Sequence, residues 1–209
     1  MVTCQRHSPV ALMSRPARTE CRDGWEVVLE YHGEGKGPFL IDLSHRPKWD
    51  IQDSRLAAIQ PLGTAIPESP GHCAVDKGVV VSRMNRTQAA VWQLLKPAVS
   101  MPQERPYTDM TDAFALLVLV GKDAFAIMEK VTSLDLVTPG RVVPFFLQGP
   151  VLHVPCQVVV LEKRSDLHVI LLGCSRGYGQ SMAAALLDAG SHWGLRPAGE
   201  TAFVNCLVW

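Results

Sequence analysis

Phe114-Ala-Leu-Leu-Val-Leu-Val120 is apolar at every position. A run this short cannot span a bilayer, and its branched residues predict a strongly apolar strand. Gly121-Lys-Asp123 follows as a turn. Over Ala124–Val131 the residues Phe125, Met128 and Val131 then share one helical face. Further along, Val142–Leu147, Leu152–Leu161 and Leu167–Leu172 are predicted strands. The last two form a hairpin around the polar tip Lys163-Arg-Ser-Asp166. Ser181–Ala189 is an alanine-rich helix, with Gly190 as its closing glycine.

Working back from the same stretch, Trp25–Tyr31 and Pro38–Leu43 are predicted strands joined by Gly33-Glu-Gly-Lys-Gly37, where glycine permits positive φ. Trp49–Gln52 forms a short third strand. Gln60–Gly71, with Pro61, Pro67 and Pro70, is an irregular connection. Lys77–Ser82 is a buried strand. Asn85 is placed as the N-cap of a helix over Thr87–Lys96, with Ala90, Val91, Leu94 and Leu95 on its inner face. Residues 1–22 lack periodicity and are expected to form an extended N-terminal arm. Pro97, Pro102 and Pro106 divide the rest, 23–209, into halves at 23–100 and 106–209. This order of elements predicts an α+β fold of antiparallel sheets with packed helices.

With 209 residues, 47% of them hydrophobic, the chain can bury a sizeable core. Twenty basic residues balance twenty acidic ones, so there is no cationic excess to gain from counterion release on nucleic acid or an anionic membrane. The start of the chain lacks a signal-peptide apolar region, which points to a cytoplasmic protein. Cys4, Cys21, Cys73, Cys156, Cys174 and Cys206 contain no C-x-x-C pair. Reduced thiols are therefore expected, with Cys156 and Cys174 as core packing.

The motifs that carry chemistry are sparse. Gly33-x-Gly-x-Gly37 has the wrong spacing for a dinucleotide loop and precedes a strand. Gly173-Cys-Ser-Arg-Gly-Tyr-Gly179 sits between a strand and a helix but lacks a Gly-Lys-Ser/Thr ending. Arg176 beside that helix start is a candidate for a carboxylate or phosphate. No histidine pair has zinc spacing, and no metal site is expected. Ser44 and His45 are adjacent, a poor arrangement for a nucleophile and its base. Asn85-Arg-Thr87 is a cap rather than a glycosylation site.

Several segments in order resemble the folate-binding superfamily of the glycine-cleavage T-protein, an aminomethyltransferase. Trp25 with Pro38-Phe-Leu-Ile-Asp-Leu-Ser-His45 is similar to its early tryptophan and Asp-Val-Ser-His strand end. The Thr108–Ala124 segment is similar to its strand-turn-helix, and Leu134-Asp-Leu136 to a short Asp-Leu segment. Trp193-Gly-Leu-Arg-Pro-Ala-Gly199 resembles the Gly-Leu-x-Pro-x-Gly that closes its folate domain. Size points within it to the sarcosine oxidase gamma subunit, which Lys48-Trp-Asp-Ile, Leu62-Gly-x-x-Ile-Pro-x-x-Pro-Gly71 and Ser175-Arg-Gly-Tyr178 also resemble.

The resemblance implies a non-catalytic gamma-like subunit of a heteromeric complex that demethylates N-methyl amines oxidatively and transfers the carbon to tetrahydrofolate. Its partner would be a larger flavin- and folate-bearing subunit, with flavin confined to partners. Where T-proteins carry a Gly-Tyr-Thr-Gly-Glu carboxylate for the pterin, this chain has Glu162-Lys-Arg-Ser-Asp166. An unpaired pterin edge costs about 1–3 kcal/mol, so self-sufficient folate binding is disfavoured. The T-protein Asp-Asp-Leu element is echoed only by Asp76-Lys-Gly78. If tetrahydrofolate or an anion binds here, Asp42, Asp76, Arg176 and Tyr178 are the residues to test; no catalytic residue is assigned. The alternatives are a stand-alone tetrahydrofolate-dependent aminomethyl- or methyltransferase, and a folate-fold assembly or repair factor.

Overall fold

A computed structural model describes residues 4–95 and 99–206. Lys96 and Pro97, expected at the end of a helix and in the proline linker, lie outside the described residues. The strands are β1 (Pro16–Arg22), β2 (Trp25–Tyr31), β3 (Phe39–Asp42), β4 (Lys48–Gln52), β5 (Cys73–Asp76), β6 (Val79–Arg83), β7 (Gln88–Gln93), β8 (Tyr107–Asp109), β9 (Phe114–Val120), β10 (Phe145–Val151), β11 (Val154–Lys163), β12 (His168–Ser175) and β13 (Arg196–Ala198). The helices are α1 (Ala124–Glu129), α2 (Gly179–Gly190) and α3 (Glu200–Cys206).

Six strands form one sheet in the order β10-β11-β12-β9-β3-β13. Every pair in it is antiparallel except β13–β3. Five more form a second antiparallel sheet, β5-β6-β7-β4-β8, and β1 pairs with β2 as a ribbon. The expected antiparallel sheets with helices packed on them are present.

β9 shows why its sequence has no polar break. Ala115, Leu117 and Leu119 point to one side, where they meet Phe125, Ile127 and Met128 of α1 and Met182, Ala183 and Leu186 of α2. Leu116, Val118 and Val120 point to the other, toward Val80 and Trp92 of the second sheet, Leu94 just after β7 and Phe203 of α3. A strand covered on both faces must be apolar throughout. The far face of the second sheet carries a third core around Trp49, Ile51, Val81 and Val91, roofed by Leu56 from one 3-10 turn and by Ile66 from the irregular chain after a second.

Several expectations need correction. The segment from Gln88 to Gln93 is strand β7, hydrogen-bonded on both sides by β4 and β6, where a helix is predicted. Asn85 Oδ1 does accept the Thr87 N–H, at 2.9 Å, but it closes a turn between β6 and β7. The same side-chain bond serves a helix cap or an Asx turn, and sheet pairing decides which forms. Lys77 and Gly78 belong to the tight β5–β6 turn, both at positive φ. Helix α2 runs to Gly190 at an ordinary φ of −87°. The left-handed residue is Gly194, φ 71°, after one further 3-10 turn.

The segment from Cys4 to Arg22, within the expected arm, is held against the rest of the chain. β1 pairs along β2, Val10 and Leu12 are buried, and Cys4 is disulfide-bonded to Cys21. Six reduced thiols are therefore not what the structure holds; Cys73, Cys156, Cys174 and Cys206 are free. Nor do the sheets follow the proline-rich division. β3 sits in the sheet of the later strands, and β8 in the sheet of the earlier ones.

Candidate functional site

β3 ends where the chain turns from the first sheet into the second, and that turn builds a buried polar region. Asp42 Oδ1 accepts the Ser44 N–H at 2.9 Å and the Ser44 hydroxyl at 2.6 Å. Ser44 Oγ in turn accepts the Leu116 N–H at 3.1 Å, locking the turn to β9. Asp42 Oδ2 accepts the Ser8 hydroxyl and so ties down the N-terminal segment.

The next residues bury charge. Arg46 and Lys48 are each 1% exposed, and Glu200 at the start of α3 is 3% exposed. Glu200 gathers three partners: Arg22 at 2.8 and 2.9 Å, Arg46 at 2.5 Å and His45 at 2.8 Å. Burial alone would raise the Glu200 pKa. Hydrogen bonds from His45 and Arg22 and the charge of Arg46 outweigh it and hold the carboxyl far below the usual glutamate range. Burial pushes His45 down, against the attraction of Glu200. For Arg22, hydrogen bonds to Glu200 and Glu20 overcome burial and raise its pKa, whereas burial lowers that of the more enclosed Arg46. Lys48 donates to the carbonyls of Ser44 at 2.7 Å and Arg46 at 2.8 Å, and burial lowers its pKa to about 7.

Beside this cluster lies a cavity of about 370 Å³, lined by Ser8, Trp25, Tyr31, Asp42 and His45 among others. Its size is at the small end of ligand pockets. Burial, reinforced by Asp42 and Glu34, lifts the Tyr31 hydroxyl to about 12. The cavity is roofed by the N-terminal segment. Arg176 Nη2 donates to the His7 carbonyl at 2.6 Å, and Gln180 exchanges two hydrogen bonds with Ala11. Arg6 stacks over Trp25 at 4.6 Å, with Arg176 5.7 Å from the same ring.

Of the residues singled out from sequence, Asp42 and Arg176 come together by gripping adjacent residues, Ser8 and His7. Arg176 also lies 4.0 Å from Asp112. The start of α2, the expected anion position, is covered by Pro9, whose Cβ lies 3.1 Å from where a Gly179 side chain would begin. Tyr178, 49% exposed, stands at that helix start. Asp76 is exposed in the β5–β6 turn, away from the cavity lining. Among the described residues no group of three or more His, Cys, Asp or Glu could hold a metal, and no helix is long and apolar enough to cross a membrane. Sequence reasoning missed Tyr31, Arg46, Lys48 and Glu200. The only local signal is the charged Ser44-His-Arg-Pro-Lys48 directly after an apolar strand.

The acidic hairpin is a tight turn: Arg164 and Leu167 exchange backbone hydrogen bonds at 2.9 and 3.3 Å. Glu162 is occupied locally, accepting the Lys163 N–H at 3.1 Å and lying 3.8 Å from Arg164 Nε. Asp166 lines a separate hollow with Phe39, at the end of β3 opposite Asp42.

No family model and no curated protein sequence matches the chain. Among solved structures, a chain of the heterotetrameric sarcosine oxidase from Corynebacterium sp. U-96, in complex with pyrrole 2-carboxylate, aligns with a TM-score of 0.59 and 18% identity. The two share a fold. The alignment covers 74% of this chain and 84% of that one, most of each rather than a single motif. At this identity it speaks for the fold and leaves function to the site.

Proposed function

We propose that this chain is a non-catalytic, gamma-like subunit of a heteromeric complex similar to sarcosine oxidase, seated on a larger subunit that carries flavin and folate. The assembly would demethylate an N-methyl amine oxidatively and pass the carbon to tetrahydrofolate, with flavin confined to the partners. The fold likeness carries this reading: it accounts for 84% of a chain that belongs to a heterotetramer. The hairpin supports the non-catalytic part. Glu162 is engaged by its own neighbours, and neither it nor Asp166 lines the cavity at Asp42. A cytoplasmic setting belongs to the same reading. The Cys4–Cys21 bond, of a kind rare in that compartment, makes thiol counting on freshly isolated protein a check of it.

The test is to tag the chain in its own cells and purify it without denaturant. The eluate is expected to contain larger subunits, visible flavin absorbance and N-methyl-amine oxidation. A colourless preparation of the single chain overturns the proposal.

One observation favours a second reading, a tetrahydrofolate-dependent aminomethyl- or methyltransferase acting alone: the 370 Å³ cavity presents Asp42 and Tyr31 together. Calorimetry with tetrahydrofolate on the isolated chain and on Asp42→Asn decides it. Binding abolished by the substitution supports that reading, and no heat at millimolar ligand removes it.

A further inference from the structure

The 370 Å³ cavity beside the Glu200 cluster has two carboxylates in its lining, Asp42 and Glu26, and no lysine or arginine. Asp42 accepts only from neutral donors, the hydroxyls of Ser8 and Ser44 and the Ser44 N–H. Neither Asp42 nor Glu26 forms an ion pair with another described residue. The nearby cations are engaged elsewhere. Arg22 and Arg46 hold Glu200, Arg6 and Arg176 lie against Asp112, and Lys48 donates inward to the Ser44 and Arg46 carbonyls. A half-buried carboxylate without a counter-charge is costly, so this wall favours a positively charged guest.

His45 is a second, independent sign of a ligand. Its side chain is only 6% exposed. Nε2 lies 2.8 Å from the Glu200 carboxylate and 3.2 Å from Arg22 Nη1. The shorter contact, to a carboxylate held ionised, places the ring proton on Nε2. Nδ1 is then a bare acceptor. It has no hydrogen-bond partner among the described residues, and it is not sealed within protein. His45 also borders a neighbouring hollow of about 360 Å³, but that one carries its own cation, Arg6, beside Asp23 and Asp109. In the first cavity the Nδ1 lone pair and Asp42 can accept from one donor-bearing cation. Leu12, Val28 and Ala198 line the same space and suit an alkyl group, while the Tyr31 ring offers an electron-rich face. Ala11, Pro16 and Glu26 are exposed at the rim and leave access from solvent.

We propose that this cavity binds a small alkylammonium ion, its N–H groups donating to Asp42 and to His45 Nδ1 and its alkyl group lying against Leu12 and Val28. Such binding requires neither a partner subunit nor folate.

The test titrates the folded full chain by calorimetry with isopropylammonium chloride, and with tetramethylammonium chloride and potassium chloride at the same ionic strength. Saturable heat is expected with isopropylammonium in the millimolar range, and much weaker binding of the other two cations, which have no N–H donors. Asp42→Asn should weaken binding roughly tenfold or more, as expected for loss of a charged hydrogen-bond partner. Val28→Phe, which fills the cavity from β2 without removing a polar group, should abolish it. Glu26→Gln, at the exposed rim, should weaken it about two- to fivefold and serves in place of Asp42→Asn if that variant is not folded by circular dichroism. No heat with isopropylammonium, equal binding of tetramethylammonium or potassium, or unchanged affinity in both Val28→Phe and the carboxylate variant overturns the proposal.

Discussion

From Leu116 to Val120 on β9 and from Ile170 to Leu172 on β12, every side chain is apolar and at most 3% exposed. The turn after β3 is just as deeply buried, yet it encloses Arg46 and Lys48 with Glu200. The apolar strands gain about 25 cal/mol for each Å² removed from water. The ionic cluster meets a desolvation cost that its own attractions roughly cancel. Equal burial therefore does different work in the two places. The strands hold the molecule together, and the ionic seam fixes the direction of one turn and of the cavity beside it.

Perturbing each region should separate the two roles. The largest effect is expected from Glu200→Gln, which leaves Arg46 buried without its carboxylate and Arg22 with Glu20 alone, and should cost about 3–5 kcal/mol in urea unfolding near neutral pH. Because the folded pKa of Glu200 is depressed, its contribution is complete above the ordinary value of 4.5 and is lost as pH falls toward the folded value. The deficit of Glu200→Gln should therefore shrink in acid. Leu171→Ala, in the apolar sheet, should cost about 2–5 kcal/mol, and that loss should be the same at every pH where the protein stays folded. A Leu171→Ala deficit that tracked pH, or a Glu200→Gln deficit that did not, would erase the distinction.

Lys48 sharpens the contrast in a separate, alkaline pH window. Its pKa falls from 10.5 unfolded to about 7 folded, so the unfolded chain binds the extra proton between those values. Stability from this group should rise as pH climbs from 7 toward 10.5. Lys48→Met should flatten that rise and cost about 1–3 kcal/mol by orphaning the Ser44 and Arg46 carbonyls; urea midpoints across that pH range check both. The smallest effect is expected for Asp76→Asn at the exposed β5–β6 turn, within about 0.5 kcal/mol, measured by the same unfolding curves.

The two regions also differ in how far the sequence reveals them. β9 and the β11–β12 hairpin are legible because unbroken apolar runs and a polar tip carry the signal within a few residues. β7 is not, because Ala90, Val91 and Leu94 fit a helical face locally and only pairing with β4 and β6 makes the segment a strand. Within the candidate site, Asp42 and Arg176 are legible from their places at a strand end and before a helix. The seam is hidden because Glu200 reaches His45 and Arg22 across separations of 155 and 178 residues. Such a partnership leaves no periodicity to detect.

Whether this fold serves as part of a larger machine is read most directly from the mass of the native particle that contains it. Gel filtration of a gently lysed extract, followed by native mass spectrometry of the fractions holding the chain, gives that mass. The chain is expected in a particle several times its own 22.9 kDa, together with flavin-bearing polypeptides. A homogeneous 22.9 kDa monomer in the extract would contradict that expectation.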